Sequence, residues 1–197
     1  MIETPHGPGR AHLHPAEEPV AALVLGHGAG GGVGAPDLTA AMEAALALGV
    51  SVALVEQPYR VAGRRSPAPA KQLDAAWIAV LTHLVAGPLH GLRVIAGGRS
   101  SGARVACRTA SDVGAIAVLC LAFPVHPPGR PEKSRLEELD AVSVPALVVQ
   151  GENDPFGMPP AAPGRTVAVL SGDHGLKRDI PALKAAVTAW LPTVLGR

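Results

Sequence analysis

The chain has 197 residues, 48% of them hydrophobic and 17% charged, with a formal net charge of +1. Such a chain is long enough to bury about 70% of its unfolded surface around one core and too apolar to stay disordered, so residues 1–197 are read as a single domain. No apolar run reaches the roughly 18 residues of a membrane span, and a charge near zero builds no field to gather nucleic acid. Neither membrane nor nucleic acid is an expected partner.

Residues 1–18 are polar and interrupted by prolines, without the apolar stretch of a secretory signal, so a cytoplasmic location is the expectation. Within them Arg10 to His14 alternates polar and apolar residues, as a half-exposed edge strand does. His12 and His14 would share a face there, but two histidines without further ligands make a poor metal site.

Short apolar runs then recur at residues 20–26, 50–55, 92–96, 115–121, 146–149 and 166–170. Most lack alternation, the pattern of strands covered on both faces of a parallel sheet. Helical spacing separates them: Leu38, Met42, Ala45 and Leu46; Leu73, Trp77, Val80, Leu81 and Leu84; residues 103–110; and Leu183, Val187, Trp190 and Leu191. Pro36 and Pro181 suit helix starts and Gly49 a helix stop. Alternating strands and helices predict an α/β fold, a mostly parallel central sheet with helices on both faces. Residues 60–70 and 123–133, rich in proline, read as surface loops, and Cys107 and Cys120 as reduced core residues.

Gly98-Arg99-Ser100-Ser101-Gly102 fits G-x-S-x-G between a predicted strand and a predicted helix. A serine on so sharp a turn stands clear of the sheet, and its neighbours must be small for the backbones to pass. Asp154 follows the run at residues 146–151, at the carboxyl end of a strand, where active sites of open α/β sheets form. Glu152 is its nearest substitute. His174 lies in a glycine-flanked loop after the last strand and can reach over the serine to take its proton. Asp173 beside it is poorly placed to orient it.

Ser100, Asp154 and His174 therefore come in the chain order that a nucleophile, its orienting acid and its base use in this kind of sheet. Gly26-His27-Gly28-Ala29-Gly30-Gly31-Gly32 follows the first apolar run. It lets backbone N–H groups approach the reacting centre, with Ala29 and Ser101 the predicted oxyanion donors and His27 organising the loop. A phosphate cradle fits poorly, because no Lys-Ser/Thr follows the glycines.

The His27 to Gly30 loop, the Gly98 to Gly102 turn, the stretch from Gly151 to Phe156 and the Asp173-His174 pair resemble the small dienelactone-hydrolase-like α/β-hydrolases. The likeness extends through Gln57-Pro58-Tyr59-Arg60-Val61-Ala62-Gly63-Arg64-Arg65 to the branch holding the testis-expressed and NSL-complex-type proteins, and covers the chain from about Val20 onward. The resemblance implies an α/β-hydrolase fold with a triad at Ser100, Asp154 and His174. Dienelactone hydrolase proper is expected to use cysteine where this chain has Ser100.

Residues 122–144, where larger relatives insert a lid, offer one short helical stretch near residues 132–139, so little or no lid is expected. These features predict a serine hydrolase acting on a small acyl substrate, an ester or thioester, without metal or cofactor. Arg60, Arg64, Arg65 and Arg99 are candidates to receive an anionic substrate group. The alternatives from other classes are a binding or scaffold protein that keeps the fold without turnover, and an acyltransferase.

Overall fold

Seven strands form one sheet in the order β1-β3-β2-β4-β5-β6-β7 in a computed structural model that describes residues 1–196. The strands are β1 (Arg10–His14), β2 (Ala21–Gly26), β3 (Val50–Glu56), β4 (Val94–Arg99), β5 (Ala117–Leu121), β6 (Ala146–Gly151) and β7 (Arg165–Leu170). Only β1 runs antiparallel to its neighbour, β3. The helices are α1 (Pro36–Leu46), α2 (Pro58–Val61), α3 (Ala70–Ala86), α4 (Ser101–Thr109), α5 (Leu136–Asp140) and α6 (Ile180–Leu195).

Successive strand residues point to opposite faces, and here both faces are covered. From β2, Ala22 and Val24 join a core with Trp77, Leu81 and Leu84 of α3, Val105 of α4 and Phe123. Ala21, Leu23 and Leu25 join a second core with Leu38 and Ala41 of α1 and Leu183, Val187 and Leu191 of α6. That double burial is why the central strands read as unbroken apolar runs.

The chain leaves β2 toward β3 on one side and leaves β4 toward β5 on the other. A crevice opens where the direction reverses, above the carboxyl ends of β2 and β4, and ligands of open α/β sheets bind in such crevices. Gly26 and Gly98 face each other at those ends. The loop after β2 and the turn after β4 therefore begin side by side.

Three local expectations need correction. The strand predicted at residues 92–96 runs from Val94 to Arg99, because Gly97 and Gly98, poor strand formers in isolation, continue it where neighbouring backbones come close. A Cβ on Gly98 would lie 2.6 Å from the Gly26 carbonyl oxygen. The loop predicted from residue 60 begins inside α2, whose first residue, Pro58, already has the helical φ. The helical stretch predicted near residues 132–139 forms only as α5.

That short helix packs against α4 and not across the crevice. Glu138 accepts from Arg104 Nε at 2.7 Å and Nη2 at 2.5 Å, and from Arg108 Nη1 at 3.1 Å. Cys107 and Cys120 are free and buried, with their sulfurs 3.4 Å apart. On the sheet edge, His12 Nε2 lies 3.3 Å from Glu56 Oε2.

Burial pushes the Glu138 carboxyl up, but the hydrogen bonds and charges of Arg104 and Arg108 outweigh it and hold it below the usual glutamate range. A depressed carboxyl stabilises the fold above its unfolded pKa, and that contribution disappears as pH falls through the folded one. Glu138→Gln should therefore cost about 1–3 kcal/mol at pH 7, and the gap from wild type should shrink below about pH 4. Urea unfolding at the two pH values checks this; a gap that widens in acid would contradict it.

Candidate active site

Ser100 holds φ 52° and ψ −108° between β4 and α4, in a region that side chains other than glycine rarely enter. Its N–H donates to the Leu121 carbonyl at 2.9 Å, and its carbonyl accepts from Arg104 N–H at 3.2 Å. Both ends of the turn are thus fixed. The turn also needs room: a Cβ on Gly102 would run into the carbonyls of Gly26 and His27.

His174 reaches across from the loop after β7. Its Nε2 lies 2.9 Å from Ser100 Oγ and its Nδ1 lies 2.8 Å from Asp154 Oδ2. The three side chains that the sequence singled out are hydrogen-bonded in series. Phe156 stacks on the imidazole with ring centroids 4.1 Å apart, limiting its rotation.

Asp154 is held from below. Gln150 Nε2 donates to its Oδ2 at 2.7 Å and Phe156 N–H to its Oδ1 at 2.8 Å, while the carboxylate side chain is only 1% exposed. Gln150, wholly buried on β6, also approaches the carbonyls of Phe123 at 3.1 Å and Gly157 at 2.9 Å. This glutamine's part is not visible in one dimension, where it is a polar residue at the end of an apolar strand. Glu152 turns elsewhere and accepts from Ser171 Oγ. Asp173 Oδ1 accepts from Gly175 N–H, shaping the loop that presents His174.

The loop after β2 is organised by His27. Its Nε2 accepts from Gln57 N–H at 3.1 Å, so its Nδ1 carries the proton and donates to the Gly28 carbonyl at 2.8 Å. Burial pushes the imidazole below its ordinary pKa and favours this neutral form. Tyr59 Oη donates to the Ala29 carbonyl at 2.9 Å. Neither the Ala29 N–H nor the Ser101 N–H donates to a carbonyl among the described residues.

Arg99, expected to meet substrate, borders the open hollow beside the His174 loop and is also held within the protein. Its Nε lies 2.8 Å from Asp37 Oδ2, at an angle that makes the contact an ion pair and not a good hydrogen bond. Its Nη2 donates to the His174 carbonyl at 3.0 Å, and Gly28 leaves space for its Nη1. One guanidinium thereby ties the His174 loop to the start of α1, with the loop after β2 packed against it. Of the other arginines, Arg60 donates to the Arg64 carbonyl at 3.3 Å, while Arg64 and Arg65 line hollows behind Tyr59 that do not include Ser100.

Residues 19–180 match the family model described as an alpha/beta hydrolase domain. The chain belongs to that family. Among solved structures, Est1E from Butyrivibrio proteoclasticus superimposes with a TM-score of 0.79 at 14% identity, covering 100% of this chain and 98% of that one. An alpha-beta serine hydrolase homologue from Coxiella burnetii gives 0.77 at 18% identity, over 96% and 95% of the two chains. XC6422 from Xanthomonas campestris, described as a serine hydrolase without a lid, gives 0.73 at 22% identity, over 97% and 93%. No curated protein matches the chain significantly by sequence.

In this α/β-hydrolase the crevice has no cap built from the segment between β5 and β6, where α5 is the one helix among the described residues. No described helix is long and apolar enough to cross a membrane. The fully buried Asp37 carboxyl is pushed above the usual carboxylate range by burial, against the pull of Arg99 and the Leu38 N–H. Because burial outweighs the pull of Arg99, the charged form of Asp37 is the costlier one in the fold, and its contribution to stability should fall as pH rises through the carboxylate range. Asp37→Asn, neutral at every pH, should remove that dependence, read from urea midpoints on either side of that range. A wild type that gains on the variant as pH rises would contradict it.

Proposed function

We propose that this chain is a serine hydrolase that cleaves carboxylic esters or thioesters through an acyl-Ser100 intermediate, similar to the small dienelactone-hydrolase-like α/β-hydrolases and, through the Gln57 to Arg65 stretch, to their testis-expressed and NSL-complex-type branch. The observation that carries the reading is the unbroken hydrogen-bonded series from Ser100 Oγ through His174 to Asp154. The solved serine hydrolases of the same fold support it as analogues.

Ser100 Oγ attacks the acyl carbon as His174 Nε2 takes the hydroxyl proton. The carbonyl oxygen becomes an oxyanion, received by the free amides of Ala29 and Ser101. His174 then gives its proton to the leaving alcohol or thiol, and the acyl group stays on Ser100. Water attacks the acyl-serine, His174 takes a proton from it, and collapse returns the hydrogen to Ser100 and releases the acid. Asp154 keeps its charge throughout, fixing the imidazole tautomer through Nδ1 and stabilising the imidazolium.

Small acyl substrates suit the site. An open hollow of about 510 Å³, bordered by Gly30, Gly31, Arg99, Gly175 and Lys177, lies beside the His174 loop. It has no long apolar wall to hold a lipid chain.

Labelling with a fluorophosphonate probe and a series of p-nitrophenyl esters from acetate to decanoate tests the reading. Wild type should be labelled and should favour the shortest esters, and Ser100→Ala should lose labelling together with at least about a thousandfold in kcat/KM. Equal labelling of the two proteins would overturn the assignment.

A further inference from the structure

The open hollow beside the His174 loop adjoins every segment of the proposed machinery. Arg99 precedes Ser100, Gly30 follows Ala29 and Gly175 follows His174, and all three border the hollow. A substrate whose acyl carbon sits at Ser100 Oγ therefore has this space within a few bonds of the reacting centre.

Two features of the hollow are not required by the fold. The first is its glycines. Gly30, Gly32 and Gly34 have no positive φ, and a Cβ on any of them would meet nothing within 4 Å. Neither backbone conformation nor packing demands glycine there, in contrast to Gly98 and Gly102. What their missing side chains leave is a clear rim.

The second is its charge. Arg99 is 19% exposed, with Nε against Asp37 and Nη2 donating to the His174 carbonyl. Its Nη1 makes no hydrogen bond among the described residues and is not sealed from solvent. A guanidinium already held at two nitrogens loses little side-chain freedom when the third takes a ligand. Lys177 is exposed on the same hollow and forms no ion pair among the described residues. Asp37, the one carboxylate on the lining, has a fully buried side chain and already balances Arg99. The uncompensated charge of the hollow is that of Lys177.

We propose that this hollow selects substrates with a carboxylate on the acyl group, so that the preferred substrates are monoesters or monothioesters of short dicarboxylic acids. The inference rests on the hydrolase reading. One carboxylate oxygen accepts from Arg99 Nη1 and the other from Lys177 Nζ, both charge-assisted contacts. A single negative charge is the right complement, because Asp37 already offsets Arg99 and Lys177 supplies the remainder; a phosphate dianion would be left partly unneutralised. On the acyl side the contact serves both half-reactions, since the acyl group stays on Ser100 after the leaving group departs.

The test compares two esters that differ in charge, mono-p-nitrophenyl adipate and p-nitrophenyl methyl adipate, by the ratio of their kcat/KM values on the full-length protein. Wild type should favour the charged ester at least about fivefold, the effect of charge-assisted contacts at a partly exposed site. Lys177→Gln should lower that ratio at least about threefold, and Lys177→Glu should bring it below one. Arg99→Gln should lower it as well; taking the ratio divides out any loss of rate that both esters share when the His174 loop loses its tether. Lys71→Gln, at the start of α3 and away from the hollow, should keep the wild-type ratio.

Equal turnover of the two esters by wild type would overturn the proposal and leave the hydrolase reading standing. So would a preference that survives Lys177→Glu, or one that Lys71→Gln reduces as much as Lys177→Gln does, since either would make the preference a property of the whole molecule's field. Turnover of both esters that persists in Ser100→Ala, or no turnover of either by wild type, would overturn the two readings together.

Discussion

Everything at the crevice depends on how closely β2, β4 and α4 approach at their junction. Gly98 and Gly102 meet Gly26 there with backbones too near for a side chain on either of them, and the chain turns from strand to helix through the strained conformation of Ser100. The strain persists because Leu121 and Arg104 hold the turn on both sides. Were Gly98 or Gly102 larger, α4 would have to move outward and the hydroxyl would leave the imidazole.

From that junction the support spreads outward through polar contacts that apolar packing alone would not provide. Gln150 and Phe156 N–H fix the carboxylate of Asp154, Asp154 fixes the imidazole, and Phe156 covers its face. The remaining loop is fixed by His27, Gln57 and Tyr59. Each element of the crevice thus has a partner on a neighbouring strand or loop, as a site held to fractions of an ångström requires.

Much of this was legible in one dimension. The parallel sheet could be read because strands covered on both faces lose alternation, and Ser100, Asp154 and His174 because their residue types, strand-end positions and order are a local signal. What could not be read depends on where side chains point after folding. Arg99 sits in the turn motif, but only the folded chain brings it to Asp37, 62 positions away. Gln150 is four residues from Asp154, yet nothing in that spacing says that a strand end and the turn beyond it fold back to meet. Gly97 and Gly98 misled for the opposite reason, since their poor strand propensity is overridden by the close approach that only they permit.

The tether on the His174 carbonyl is a guanidinium, and that choice has an effect of its own. Arginine keeps its positive charge at any pH a folded protein survives, unlike an imidazole or an amine in the same place. The ring it supports can therefore gain and lose a proton while the anchor of its main chain stays electrically constant. Protonation at the ring and attachment of its backbone become separate degrees of freedom.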